Sequence, residues 1–242
     1  AITLDMASER GREMFWQMVP GFDVIAENFS PHVMSKWGIT LETLQEKRPD
    51  IIFASLSGYG RQGPLSEYPA NGSTTEPMSG LASIHGYEND QPMNTGGLFP
   101  DPVTGYYFAA AILTALVSRQ SSGKGQRIDE SMMEGVAVQV GDAILDYEAN
   151  GTVQRPQGNR HPRMAPHNYY QTADDGWVAI AAENDDQWRD LARVLSIADE
   201  RFAGLSGRKQ FEVELDEMIA AWTRVRTVDD ACRQLSGANA CV

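Results

Sequence analysis

The sequence predicts an α/β fold: a Rossmann-like, parallel-sheet large domain followed by a smaller α/β domain. Three observations carry this. Over the first 60 residues, short apolar runs alternate with helical spacings, the rhythm of parallel strands joined by crossover helices. Two long helical patterns follow, parted by a Gly/Ser turn. A second strand-and-helix series then begins beyond an irregular stretch, residues 155–170, that holds three prolines and two histidines. The large domain is placed at residues 1–155 and the small one at 156–242. No repeat of 20–50 residues occurs.

Residues 2–4 read as a strand. Ser8 caps a helix whose apolar stripe is Met14, Phe15, Met18 and Val19. Residues 22–26 read as a buried strand, with Glu27, Asn28 and Phe29 at its end. A helix over 33–37 stops at Gly38, and Thr40 caps another that runs to Lys47 before Pro49. Residues 50–56 are the next strand. The polar stretch 57–100 holds only a short helical segment at 77–83. A loop of that length in a domain points to function. Residues 102–119 form the clearest helix. Val103, Tyr106, Tyr107, Ala110, Ile112, Leu113, Leu116 and Val117 leave it apolar on nearly all sides, so it is expected to be buried. A short strand at 127–129 and a second long helix at 131–148, broken by Asn150-Gly151, complete the large domain. In the smaller one, 177–182 is a strand and 185–195, 211–223 and 228–235 are helices.

Composition narrows the function classes. The 242 residues carry 20 Lys+Arg against 33 Asp+Glu, a net charge of −13, with 42% hydrophobic and 22% charged residues. This is a globular composition able to build a core. The acidic balance opposes nucleic-acid binding, which needs a basic footprint, but leaves room for a local pocket for a small anion. No apolar run approaches the roughly 20 residues of a membrane span. Cys232 and Cys241 match neither a disulfide framework nor a metal spacing and read as free thiols of a reducing cytosol. His32, His85, His161 and His167 form no metal-binding pair. The chain opens at Ala1 without Met and closes weakly over 236–242, so it reads as a piece of a longer protein.

Gly58-Tyr-Gly60-Arg-Gln-Gly63 matches G-x-G-x-x-G after a strand, yet Pro64 follows where a dinucleotide site needs a helix to open. No nicotinamide cofactor is expected; these glycines let the backbone turn and approach another ligand. Ser122-Gly-Lys-Gly-Gln126 reads as a surface turn. Residues 158–168 hold Arg160, His161, Arg163 and His167, either a solvated loop or an anion-facing one. Asp101, between Pro100 and Pro102, reads as an N-cap with Pro at N1. A carboxylate at the positive end of a helix can also act as a nucleophile. Both readings are compatible.

Several stretches together resemble the family III CoA-transferases. They are Thr3-Leu-Asp5, Asp23-Val-Ile-Ala-Glu-Asn-Phe29, Ile52-Phe-Ala-Ser-Leu-Ser-Gly-Tyr-Gly-Arg-Gln-Gly-Pro64, Met78-Ser-Gly80, Asp101 with Gly105, Gly123-Lys-Gly-Gln-Arg-Ile-Asp129, Gly158-Asn-Arg-His-Pro162 and Ala165-Pro-His167. The resemblance implies an interlocked homodimer, a cytoplasmic enzyme, and further strand-helix and C-terminal segments beyond this chain. It implies transfer of coenzyme A between an acyl-CoA and a carboxylic acid, with no metal. Asp101 falls on the family's nucleophile, passing through a mixed anhydride and an aspartyl-CoA thioester. Leu4, Asn28, Phe29, Lys36, Leu56, Ser57, Gly58, Tyr59 and Met132 fall on its CoA contacts. Ser57 stands where some relatives carry a cation. Residues 158–167 stand where some relatives have a glycine-rich flap, here without consecutive glycines. An alternative is an acyl-CoA racemase, whose histidine position falls on Asn71, and Asn cannot take a proton at neutral pH. A second alternative is a non-catalytic acyl-CoA-binding fragment.

Overall fold

Apolar strands that end in polar residues set the architecture of the first half of the chain. The computed structural model describes residues 2–88 and 91–238. It divides into two units: Ala1–Gly86 with Asp90–Pro156, and Tyr87–Asn89 with Gln157–Val242.

In the first unit, α1 (Glu9–Met18) starts at Ser8, whose hydroxyl accepts the Gly11 N–H at 3.0 Å. Then come β1 (Val24–Glu27), α2 (Val33–Lys36) and α3 (Leu41–Gln45), the last begun by a reciprocal Thr40/Thr43 capping box. Strand β2 (Ile52–Ser57) follows. The short helices α4 (Gly72–Met78) and α5 (Leu81–Ile84) precede the long α6 (Pro100–Ser122), and β3 (Arg127–Ser131) runs straight into α7 (Met132–Ala137). Helix α8 (Gly141–Asn150) closes on Gly151 in the left-handed region at φ 70°. The three strands are parallel in the order β1-β2-β3, Val24 facing Ile52 and Phe53 facing Arg127. Alternation along β2 divides its side chains between two faces. Ile51 and Phe53 join Val19, Ile39 and Leu44 in a core beneath α1 to α3. Ile52 and Ala54 fall on the opposite face, on the side where α6 packs.

The second unit is a hairpin, β4 (His167–Gln171) antiparallel to β5 (Trp177–Ala181), covered by helices. These are α9 (Asp185–Leu195), α10 (Leu205–Gln210), α11 (Glu212–Thr223) and α12 (Val228–Leu235). Val178 and Ile180 pack with Leu191, Leu195, Leu215, Ile219 and Leu235, each pair of leucine or isoleucine positions four apart on one helix face.

The α/β prediction therefore holds, with local corrections. Residues 2–4 form no strand. The 131–148 helix breaks at a 3-10 turn over Val138–Val140, where β-branched valines meet Gly141. Strand β4 and helices α4 and α10 were not predicted as such. Helix α6 is not buried all round: within this unit it packs on β2, β3, α4 and α7, and Tyr106 (80%), Leu113 (62%) and Val117 (67%) stay exposed. Among the described residues no helix is long and apolar enough to cross a membrane. Cys232 is an exposed free thiol; Cys241 lies outside the described residues.

Arg208 organises the second unit's polar interior. It is fully buried and donates to the carbonyls of Ala165 (2.6 Å), Phe202 (3.1 Å) and Ala203 (3.2 Å) and to Asp185 (2.8 Å). Only a guanidinium offers donors in that fork. Arg208→Met is expected to lower the unfolding free energy by about 3 kcal/mol or more, because three carbonyls lose their donor at about 1 kcal/mol or more each. Asp185→Asn, which keeps a side-chain oxygen to accept from Arg208, should cost less than that. Urea denaturation of the two variants checks the contrast.

Candidate active site

A cavity of about 470 Å³ opens where β1 and β2 end. Crevices beyond the carboxyl ends of parallel strands are where open α/β sheets hold ligands. Glu27, Asn28, Phe29, Ser30 and Pro31 supply one wall and Leu56, Ser57 and Gly58 another. Met132 joins from the start of α7, and Tyr68, Pro69, Ala70 and Asn71 from the loop before α4. Asp101, Gly105 and Phe108 line it from α6, where spacings of four and three place them on one face.

Of the residues singled out from sequence, Asp101, Asn28, Phe29, Leu56, Ser57, Gly58 and Met132 come together here. Leu4, Lys36 and Tyr59 do not line the cavity. Lys36 is the exposed last residue of α2, and Leu4 and Tyr59 are half-buried elsewhere. Asp101 is not an N-cap. The helix starts at Pro100 and Asp101 lies within its first turn, where Pro102 is tolerated because the amide it lacks would have no intrahelical partner.

The approach to Asp101 is built from unusual backbone. Gly96, Gly97 and Leu98 have φ of 81°, 59° and 54°, and the Asp101 N–H donates to the Leu98 carbonyl at 2.9 Å. For Leu98 that conformation costs about 1–2 kcal/mol. The loop is tied to α4 by Glu76, 1% exposed, whose Oε1 accepts the Thr95 N–H at 2.5 Å. The carboxylate itself rests on bare backbone. A Cβ added at Gly72 would lie 2.0 Å from Oδ2 of Asp101.

Sequence reasoning missed the group that holds the opposite wall. Arg61 Nη2 donates to both Glu27 oxygens (2.8 and 2.9 Å) and to the Phe29 carbonyl (2.9 Å). Its backbone N–H donates to Asp129 at 2.9 and 3.0 Å, and Glu27 also accepts the Phe29 N–H at 2.9 Å. The Glu27 side chain is 2% exposed. The Phe29 ring meets Trp37 edge-on at 5.6 Å. No helix opens after Gly63; the next is α4 at Gly72. Near Met132, burial, with Glu134 and then Asp129 nearby, pushes the Glu130 carboxyl above its ordinary range. The Ser57 Oγ is buried without a hydrogen-bond partner among the described residues.

The second unit's 158–168 segment uses its charge internally. Arg160 pairs with Glu88 (2.7 Å) and approaches Asp216 (3.7 Å) and Glu212 (3.9 Å), and His167 meets the Asn159 carbonyl at 2.5 Å. Arg163 is exposed. Burial is the leading cause that holds His161 below its ordinary value, with His167 adding to it.

Two outcomes follow from this geometry. Gly72→Ala should leave helix content unchanged by circular dichroism but displace the Asp101 side chain in a crystal structure of the variant. Arg61→Ala leaves Glu27 buried and unpaired, so unfolding free energy measured in urea should fall by about 3–5 kcal/mol.

Comparison with known proteins gives the family. The family model described as CoA-transferase family III matches residues 1–242. Succinyl-CoA--D-citramalate CoA-transferase of Chloroflexus aurantiacus is 34% identical over 233 residues, 95% of this chain and 58% of that protein. Acetyl-CoA:oxalate CoA-transferase of Acetobacter aceti is 37% identical over 196 residues, 81% of this chain and 50% of that protein. The chain thus spans about half the length of the curated relatives it matches. The crystal structure of a CAIB/BAIF family protein from Brucella suis matches with a TM-score of 0.88 at 32% identity, covering 100% of this chain and 65% of that one. The chain belongs to CoA-transferase family III.

Proposed function

We propose that the protein carrying this chain moves coenzyme A from an acyl-CoA thioester to a carboxylic acid, with Asp101 as nucleophile. The observation that carries this reading is the Asp101 carboxylate, set against the Gly72 backbone in the cavity beyond the sheet. A carboxylate so placed can attack a carbonyl carbon.

An Asp101 oxygen attacks the thioester carbon; the C–S bond breaks, and a mixed anhydride and CoA thiolate form. The thiolate then attacks the Asp101 carbonyl. The donor acid leaves with one Asp101 oxygen, and an aspartyl-CoA thioester remains. The acceptor carboxylate attacks that thioester and expels the thiolate. The thiolate finally attacks the acceptor carbonyl, which releases the new acyl-CoA and restores Asp101. Covalent catalysis here divides one hard exchange into easier steps.

Phe29, Leu56 and Met132 offer apolar contact to the pantetheine arm, and Ser57 lines the cavity beside them. Asn28 and Gly58 complete that wall. Leu4, Lys36 and Tyr59 act farther along CoA, Lys36 as a charge for phosphate. The names of two relatives pair an acyl-CoA with citramalate and with oxalate, so short dicarboxylic acids are the first acceptors to assay. The enzyme works as a cytoplasmic homodimer; the exposed apolar residues of α6 support a partner surface. Asn71 takes the position where a racemase would need a proton acceptor, which favours transfer.

In the intact protein, Asp101→Asn is expected to lower CoA exchange by about a thousandfold or more, about 4 kcal/mol of transition-state stabilisation. Exchange at the wild-type rate would overturn the reading. So would deuterium entering the α-carbon of an acyl-CoA without CoA exchange.

A further inference from the structure

We propose that Asn71 is a catalytic residue: its Nδ2 donates a hydrogen bond to the oxyanion formed when Asp101 attacks a carbonyl. This rests on the transfer reading above. The backbone and half of the side chain of Asn71 are committed to the start of α4. The Asn71 N–H donates to Thr74 Oγ1 at 3.0 Å, and its carbonyl accepts the Thr74 and Thr75 N–H groups at 3.1 and 3.0 Å. Side-chain Oδ1 accepts the Thr74 N–H at 3.2 Å. That last bond settles which way the amide faces, because a reversed amide would set an NH₂ group against an N–H.

Nδ2 is what remains, with two N–H donors and no acceptor among the described residues. Asn71 lines the same cavity as Asp101, and Gly72, the next residue, is the one against which the Asp101 carboxylate rests. A carbonyl bound in this cavity for attack by Asp101 shares it with the Asn71 amide. In the attack the carbonyl carbon bonds to an Asp101 oxygen and the C=O electron pair moves onto oxygen. A neutral donor lowers the energy of that oxyanion and needs no proton transfer. A cationic side chain in its place would pair with the Asp101 carboxylate and blunt it. The capping box thus holds a donor in place before substrate arrives.

The test uses two variants that keep the cap. Asn71→Ser retains a capping oxygen without the amide, and Asn71→Asp retains Oδ1 while exchanging the NH₂ group for an acceptor. In the intact protein both should unfold at the wild-type urea midpoint. Both should lose kcat for CoA exchange by about a hundredfold or more, with KM for acyl-CoA changed by less than about threefold. Asn71→Ser working within about threefold of the wild-type kcat would reduce Asn71 to a cap and overturn the proposal. Loss of kcat only in step with a lowered midpoint would do the same. Asp101→Asn is assayed beside them. If it is inactive while Asn71→Ser is fully active, only this inference fails. If it retains exchange, the transfer reading fails and this inference with it.

Discussion

The buried carboxylate of Glu27 is the constraint on which the candidate site depends. A carboxylate 2% exposed at the end of β1 is unfavourable unless it is matched by charge and donors. Arg61 supplies the charge and two bonds, and the Phe29 N–H supplies another. The same arginine reaches the Phe29 carbonyl, and its backbone is held by Asp129 on β3. One residue in the loop after β2 therefore ties that loop to the end of β1 and to the middle of β3. The hydrogen bonds also set the path of residues 27–29, and that path is a wall of the cavity. Sheet integrity and site shape rest on the same few contacts.

Against that wall stands α6, positioned by different means. Helix α4 holds the loop before it through Glu76 and receives the Asp101 carboxylate on Gly72. Fixed charge forms one side of the cavity, and glycine and amide groups the other. The division suits a nucleophilic carboxylate. A cation next to Asp101 would hold it in an ion pair, whereas bare backbone leaves its oxygens open to a carbonyl carbon.

Much of this was legible in the sequence, where the cause is local. Helix α9 runs over Asp185–Leu195 as predicted because Asn184 caps it and Trp188, Leu191 and Leu195 share one face. Helix α12 follows the same logic from Thr227. Where causes are distant, the pattern misleads. Residues 2–4 have strand composition but no strand beside them. Strand β4 was hidden because His167, Asn168 and Gln171 are polar. The apolar circumference of α6 predicted burial, yet this unit covers only one side of it. Asp101 stood out from its Pro flanks and from family resemblance, but the N-cap role expected of it does not hold, because the helix already starts at Pro100. Arg61 could not be found at all: its partners lie 34 and 68 residues away.

In the proposed covalent relay the oxygen atoms of Asp101 exchange with those of the acids it serves, and an oxygen-labelling experiment reads this directly. The intact protein is loaded with an unlabelled acyl-CoA, given a single turnover with an acceptor acid whose carboxylate carries heavy oxygen, digested, and analysed by tandem mass spectrometry. One heavy oxygen is expected in the side chain of Asp101, left behind when the thiolate takes the acceptor acyl group from the second anhydride. A labelled acyl-CoA product formed with no label in Asp101 would contradict it.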